Sequence, residues 1–145
     1  VVEFCQRLVE NMRLSDQGRH AFLLTTHNVV EKVNLDRRLL EHILINLLSN
    51  AAKYSEDGLP VSLEVECVTN CLVFKVTDQG IGIPKEDHDK LFEAFHRAGN
   101  AGSIAGTGLG LAIVKQSVDA HGGSIHFTSE VGRGTTFVIT VPLPN

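Results

Sequence analysis

Asp36 to Ser55 reads DRRLLEHILINLLSNAAKYS, with apolar residues at Leu39, Leu40, Ile43, Leu44, Leu47, Leu48 and Ala51. This three-and-four spacing predicts a helix with one buried side. Asp36 stands where a side-chain oxygen can accept the first free backbone N–H groups and so caps that helix. A polar stripe runs beside the apolar one. At 3.6 residues per turn, His42, Asn46, Asn50 and Lys53 share a face. The stripe has two readings. It is a solvated surface, or it is a ligand set, because carboxamides are poorer helix formers than Glu or Lys and two of them four apart call for a reason. A carboxamide oxygen can ligate Mg²⁺, and a nearby lysine can hold phosphate.

Upstream, Val1, Phe4, Cys5, Leu8, Val9 and Met12 predict an amphipathic helix over 1–14, ended by Ser15-Asp16-Gln17-Gly18. His20–Thr26 and Val29–Val33 are strand-like runs around His27-Asn28, which predicts a small N-terminal hairpin. Downstream, Val61, Leu63, Val65 and Cys67 alternate with polar residues, and Leu72, Phe74 and Val76 alternate with Val73, Lys75 and Thr77, giving two more paired strands. Pro84 opens a short helix to about Leu91, and 96–107, rich in Gly, Ala and Ser, reads as a mobile loop. Leu109–Ala120 reads as a helix stopped by Gly122-Gly123. Strands at Ser124–Ser129 and Thr135–Val141 follow, joined through Val131-Gly132-Arg133-Gly134. Adjacent strand pairs between helices predict an α/β (α+β) two-layer sandwich. Its sheet is mixed, largely antiparallel, of about five strands plus the N-terminal hairpin, with helices on one face.

A chain of 145 residues is long enough for one hydrophobic core, so 1–145 reads as a single domain. Apolar residues at 43% and charged residues at 21% are ordinary for a globular protein. No run approaches the ~20 apolar residues of a membrane span, and Val1–Met12 lacks the pattern of a signal peptide. The segment therefore reads as cytoplasmic and makes no membrane contact. The net charge of −4, with Lys and Arg scattered singly, leaves no basic patch for nucleic acid. Cys5, Cys67 and Cys71 are an odd number and suggest no disulfide framework. Cys67 and Cys71 lack a second ligand pair for a zinc site and read as small apolar residues around a Thr69-Asn70 turn.

Asp78 continues the inward phase of Leu72, Phe74 and Val76 and is followed by Gln79-Gly80-Ile81-Gly82-Ile83. A carboxylate at the buried end of a strand is costly unless a donor meets it, and the exocyclic amine of adenine is such a donor. The alternative is a turn aspartate capping Gly80. The glycines let a base approach the backbone or make a tight turn. Gly106-Thr107-Gly108-Leu109-Gly110-Leu111 opens a helix, whose free N–H groups and positive dipole end attract anions. That segment does not directly follow a strand, and the chain has no G-x-x-x-x-G-K-[ST] loop, which excludes a Rossmann unit and a P-loop.

In this order the pieces resemble the GHKL superfamily of ATPases and kinases (the Bergerat fold), most of all the catalytic domain of sensor histidine kinases. Asn46 to Ser55 resembles the N box, Asp78-Gln79-Gly80-Ile81-Gly82 the G1 box, Phe92-Glu93-Ala94-Phe95 the F box, and Gly106–Leu111 the G2 box. Gly134-Thr135-Thr136-Phe137 resembles the closing strand motif, so the likeness covers the whole chain. The resemblance implies ATP and Mg²⁺ as cofactors. Asp78 then bonds the adenine amine, supported by Thr135, with Tyr54 beside the base and Gly80, Gly82 and Ile83 shaping the loop. Asn46 holds Mg²⁺. Asn50, Lys53, Arg97 and the backbone of Thr107, Gly108, Leu109 and Gly110 meet the phosphates, Asn46, Lys53 and Arg97 acting in catalysis. Residues 96–107 are the ATP lid.

Two departures bear on mechanism. ATP-hydrolysing relatives of this superfamily carry a water-activating Glu four residues before the first N-box Asn, where this chain has His42. Glu41 lies about 100° away around the helix. Without a positioned base, transfer to a better nucleophile becomes the expectation. None of the seven histidines sits in the family's acceptor motif; His20, His27, His88, His96, His121 and His126 read as surface or packing residues. The resemblance thus implies phosphoryl transfer to a histidine on a helical dimerisation domain absent from this chain, then signalling to a response regulator receiver domain. It also implies a monomeric isolated domain, a homodimeric full-length protein, and a whole protein soluble or anchored at the cytoplasmic face of a membrane. The alternatives are a GHKL serine kinase or ATPase, and a nucleotide-binding pseudokinase acting as an interaction module.

Overall fold

The computed structural model describes residues 1–30, 32–93, 99 and 110–144. The elements run α1 (Val2–Asp16), β1 (Ala21–His27), α2 (Arg37–Tyr54), β2 (Pro60–Val68), β3 (Cys71–Thr77), a 3-10 turn (Lys85–Lys90), α3 (Gly110–Ala120), β4 (Ser124–Glu130) and β5 (Gly134–Pro142). They form one five-stranded sheet in the order β1-β2-β3-β5-β4, with β1 parallel to β2 and every other pair antiparallel.

Each helix ends for a local reason. Gln17 closes α1 in the left-handed region (φ 56) and returns its N–H to Leu14 O. Asp36 caps α2 as its position foretells, accepting from Arg38 N at 3.0 Å and Leu39 N at 3.3 Å. Leu40, Ile43, Leu44, Leu47, Leu48 and Ala51 of α2 lie buried on the sheet face that also carries Val61, Leu63, Val65, Leu72, Phe74 and Val76. The alternation read from β2 and β3 therefore holds, and these residues form the core between the two layers. Cys67 follows the inward phase of β2, whereas Cys71 faces the open side of the sheet in phase with Val73 and Lys75. Their separation onto opposite faces rules out a joint metal clip. Both are free thiols beside a turn in which Thr69 takes φ 56.

The expected N-terminal hairpin does not form. Its first arm is β1, but β1 pairs in parallel with β2, Phe22 beside Val61 and Leu24 beside Leu63. Among the described residues, Val29, Val30, Lys32 and Val33 belong to no strand. The sheet has five strands because β1 joins it, and burial decides the choice. Phe22 reaches 2% exposure by extending the common core, which a separate two-stranded ribbon could not provide.

Candidate functional site

Asp78 begins the loop after β3, next to the first residues of β5. Thr77 pairs with Thr136. One step on, Asp78 N donates to Thr135 O at 2.9 Å. The carboxylate then does two jobs with one atom. Oδ1 accepts Gly80 N at 2.8 Å and Thr135 N at 3.2 Å. Among the described residues no hydrogen bond reaches Oδ2. Burial pushes the carboxyl above its ordinary value, and the Gly80 and Thr135 N–H groups recover only part of that cost. The reading of Asp78 as a turn aspartate capping Gly80 therefore holds for one oxygen, Oδ1.

The glycines around it serve a tight turn packed against the chain's own backbone. A Cβ on Gly80 would lie 2.4 Å from Tyr54 O, and one on Gly82, at φ +73, would lie 2.2 Å from Glu130 O. The loop is wedged between the end of α2 and the β4–β5 turn, with Ile81 N bonded to Tyr54 O at 3.2 Å and Gly132 N to Ile81 O at 2.9 Å. Gly134, at φ +109, likewise lets Asp78 O come within 2.2 Å of the missing Cβ. The chain's own backbone fills the space.

The polar stripe of α2 meets the start of α3. A Cβ on Gly110 would stand 3.3 Å from Asn46 Oδ1 and 3.8 Å from Asn50 Nδ2. Asn46 Nδ2 donates back to His42 O at 2.8 Å, which orients its Oδ1 lone pairs outward. A hard oxygen donor facing space cleared by a glycine fits Mg²⁺, which takes one or two protein oxygens and fills its shell with phosphate and water. Lys53 lies on the same face of α2, about 20° around from Asn46. Its exposed side chain lines a cavity of about 360 Å³ between the end of α1 and the last turns of α2, with Ser15, Arg19, Ser49 and Ser55. Arg97, Thr107, Gly108 and Leu109 lie outside the described residues, as does the expected lid apart from Gly99.

Two residues beside the site, Ser129 and Asp87, were not marked in the sequence. Ser129 Oγ accepts Ile83 N at 2.7 Å and lies 2.8 Å from Thr135 Oγ1. Asp87 Oδ2 accepts Gly99 N at 2.9 Å. His88 Nε2 contacts Ile83 O at 2.9 Å, and its ring meets Phe127 edge-on at 5.0 Å, so it packs as expected. Phe92, the first F-box residue, stands edge-on to Phe127 and Phe137 at 5.9 and 6.5 Å and anchors that segment to the sheet. His20 is a packing residue too. It is buried, with its N–H and Nδ1 on Asp16 at 2.6 and 2.9 Å and Nε2 3.2 Å from Ser55 O.

The chain is similar to known proteins over nearly its whole length. The family described as "Histidine kinase-, DNA gyrase B-, and HSP90-like ATPase" matches residues 35–145. The sensor histidine kinase WalK of Bacillus subtilis (strain 168) is 36% identical over 98% of this chain and 24% of its own length. Among solved structures, a mycobacterial sensor histidine kinase, MprB, superimposes with a TM-score of 0.86 at 33% identity, covering 98% of this chain and 95% of that one. Full-length ShkA in complex with AMPPNP superimposes at 0.84 with 26% identity, covering 99% of this chain and 30% of that one. The chain spans 16 to 28% of the length of the first curated relatives it matches. No helix among the described residues is long and apolar enough to cross a membrane. With the matched family covering the N-terminal cap of α2 through β5, this chain belongs to the histidine kinase-, DNA gyrase B- and HSP90-like ATPases.

Proposed function

We propose that this chain binds Mg-ATP and donates the γ-phosphoryl group to a histidine carried by a separate helical domain of the same full-length protein. A response regulator receiver domain is the onward acceptor. The observation that carries the reading is Asp78. Its Oδ1 is committed to Gly80 N and Thr135 N, and its Oδ2 keeps its acceptor capacity at the buried end of a strand. An amine on a planar base satisfies that oxygen and relieves the cost of holding a carboxylate there. Relatives named as sensor histidine kinases, and the AMPPNP bound to ShkA, support the same reading.

Transfer needs alignment more than covalent chemistry from the protein. Asp78 fixes the base end. Asn46 and Asn50, facing the start of α3 at Gly110, receive the phosphate end, and the N-terminus of α3 turns its positive dipole end and free N–H groups toward that charge. Asn46 Oδ1 is the protein ligand for Mg²⁺, which when bound offsets charge on the phosphate oxygens. Lys53, on the helix face of Asn46, reaches the phosphates, and Arg97 contributes a second cation. The acceptor imidazole nitrogen attacks the γ-phosphorus, the bond to the β–γ bridging oxygen breaks, and ADP leaves with that electron pair. His42 replaces the carboxylate that would activate water, which favours transfer over hydrolysis. The domain works alone as a monomer, and the full-length protein works as a homodimer.

The test is phosphorylation of a supplied histidine-bearing domain from γ-labelled ATP, with and without a chelator. Mg-dependent label on the acceptor is expected. Label released only as inorganic phosphate would replace the transferase reading with an ATPase, and no nucleotide binding would replace it with an interaction module.

A further inference from the structure

His20 is buried where α1, β1 and the end of α2 meet. Its Nδ1 lies 2.9 Å from Asp16 Oδ1 and its Nε2 3.2 Å from Ser55 O, while its backbone N–H donates to Asp16 Oδ2 at 2.6 Å. Burial raises the Asp16 carboxyl, but hydrogen bonds and charge from His20 and the charge of Arg19 outweigh it and keep the group ionised through neutral pH. The proton on Nδ1 therefore goes to that carboxylate. A carbonyl oxygen can only accept, so the contact to Ser55 O needs a second proton, on Nε2. When that proton leaves, two lone pairs face each other. Ser55 itself offers the alternative partner. Its Oγ is buried and, among the described residues, has no hydrogen bond. A hydroxyl can donate to a bare imidazole nitrogen, so a turn of Ser55 exchanges one Ser55–His20 bond for another. The charged groups around the pair are Arg19, with Nη2 3.6 Å from Asp16 Oδ1, and Lys53 of α2 and Asp57 of the loop after it, which line the same cavity as Asp16. From β1 the ring meets only Phe22, edge-on at 6.4 Å.

Ser55 is the C-cap of α2, and its own N–H reaches Ala52 O only at 3.4 Å. The same peptide group carries Tyr54 O, which accepts Ile81 N at 3.2 Å and against which Gly80 closes with no room for a Cβ. The loop after Asp78 thus rests on a peptide whose next anchor is His20. Gly58 N on Arg19 O, at 2.6 Å, joins the two neighbouring turns whatever the state of the ring. We propose that the Asp16–His20 pair is a proton-controlled latch on the end of α2: with a proton on each ring nitrogen it holds Ser55 O and keeps Tyr54 O under the Asp78 loop, and loss of the Nε2 proton lets Ser55 turn and loosens the nucleotide site. The proton belongs to the tight form. Nucleotide therefore binds better below the ring's titration than above it, and by reciprocity bound nucleotide makes the ring keep its proton to higher pH. The inference rests on the nucleotide reading above and adds a control on that site.

The probe is a non-hydrolysable ATP analogue, titrated calorimetrically into the 145-residue chain and two variants across about pH 5 to 8, the range in which imidazoles change charge. His20→Gln sets an amide N–H near the Nε2 position, where it cannot be lost; His20→Asn sets one near Nδ1 and leaves Ser55 O without its donor. Comparison among the three cancels the titration of the analogue's own phosphates. Relative to His20→Gln, the parent is expected to weaken about 2- to 10-fold as pH rises, the effect of one hydrogen bond, while His20→Asn stays weak throughout. In NMR of the imidazole nitrogens, the analogue should move the midpoint of the ring's titration up by the same factor, about 0.3 to 1 pH unit. A midpoint that ignores the analogue, a ring that keeps one state over the whole range, or a His20→Gln profile that follows the parent's would overturn the latch. Should the variants fail to fold, the NMR titration of the parent decides. If the parent binds no analogue at any pH, or Asp78→Asn binds it like the parent, the nucleotide reading fails and takes the latch with it. If binding depends on Asp78 but not on the state of the ring, the latch alone fails.

Discussion

Replacing Asp78 by Asn tests the reasoning most directly, because the two carboxylate oxygens have separate duties. An Asn Oδ1 can still accept Gly80 N and Thr135 N, the bonds now at 2.8 and 3.2 Å. Its Nδ2 replaces Oδ2 and turns an acceptor into a donor facing the amine of the base. Losing a hydrogen bond to a charged group costs about 1.5–3 kcal/mol, and leaving donors unpaired costs about 1–3 more. The sum, about 2.5–6 kcal/mol, is roughly a hundredfold or more in Kd at about 1.4 kcal/mol per tenfold. Stability moves differently. Burial holds the Asp78 carboxyl above its ordinary value of 3.8. The native state then binds more protons than the unfolded one above that value, so stability falls as pH rises through the native pKa and the cost is fully present above it. Asn carries no charge to desolvate. Asp78→Asn should therefore melt at or above the parent's temperature at pH 7 and lose this part of the pH slope. Asp78→Ala strips both N–H groups of their acceptor, at about 1–3 kcal/mol each, and should melt several degrees lower. Calorimetric titration with an ATP analogue and thermal melts give both readings. If Asp78→Asn binds within about threefold of the parent, or melts as low as Asp78→Ala, the division of labour between the oxygens is wrong; threefold is well below the loss of a single charged hydrogen bond.

Asn46→Ala should abolish Mg-dependent transfer to a supplied acceptor while leaving metal-free nucleotide binding within a few-fold, measured by label transfer and titration; unchanged transfer excludes the metal role. Gly110→Ala should fold normally but weaken Mg-nucleotide binding, because the new methyl stands 3.3 Å from Asn46 Oδ1. Gly82→Ala combines φ +73 with overlap on Glu130 O and should cost about 2–5 kcal/mol of stability by denaturant titration. For Asp16, burial pushes the carboxyl up, but hydrogen bonds and charge from His20 and the charge of Arg19 outweigh it and hold it below its ordinary value. Its contribution is present above the ordinary carboxylate range and lost as pH falls through the native pKa, so Asp16→Asn should flatten the acid limb of a stability–pH curve.

Much of the fold was legible because its causes are local. The heptad-like stripe of α2, the Asp36 cap, and the alternation of β2 and β3 each depend on neighbours within a few residues, and each appears where the spacing put it. Asp78 was legible for the same reason, as the next inward position after Val76. Pairing was not. A run such as Ala21–His27 carries the same alternation whether it folds back on Val29–Val33 or lies beside Pro60–Val68, and only access to the common core decides between them. Ser129 alternates on an edge strand like any solvated serine, and its role depends on Ile83, which reaches it from across the fold.

The sequence by itself thus determined most of the elements, the place of Asp78 directly after an inward-alternating strand and the family likeness, because periodicity and motif order are properties of adjacent residues. Tertiary structure alone decided that β1 joins the sheet, that the glycines yield to the chain's own backbone, and that one oxygen of Asp78 is spent and the other available. Those outcomes depend on backbone and side-chain atoms far apart in sequence competing for the same space and the same hydrogen bonds.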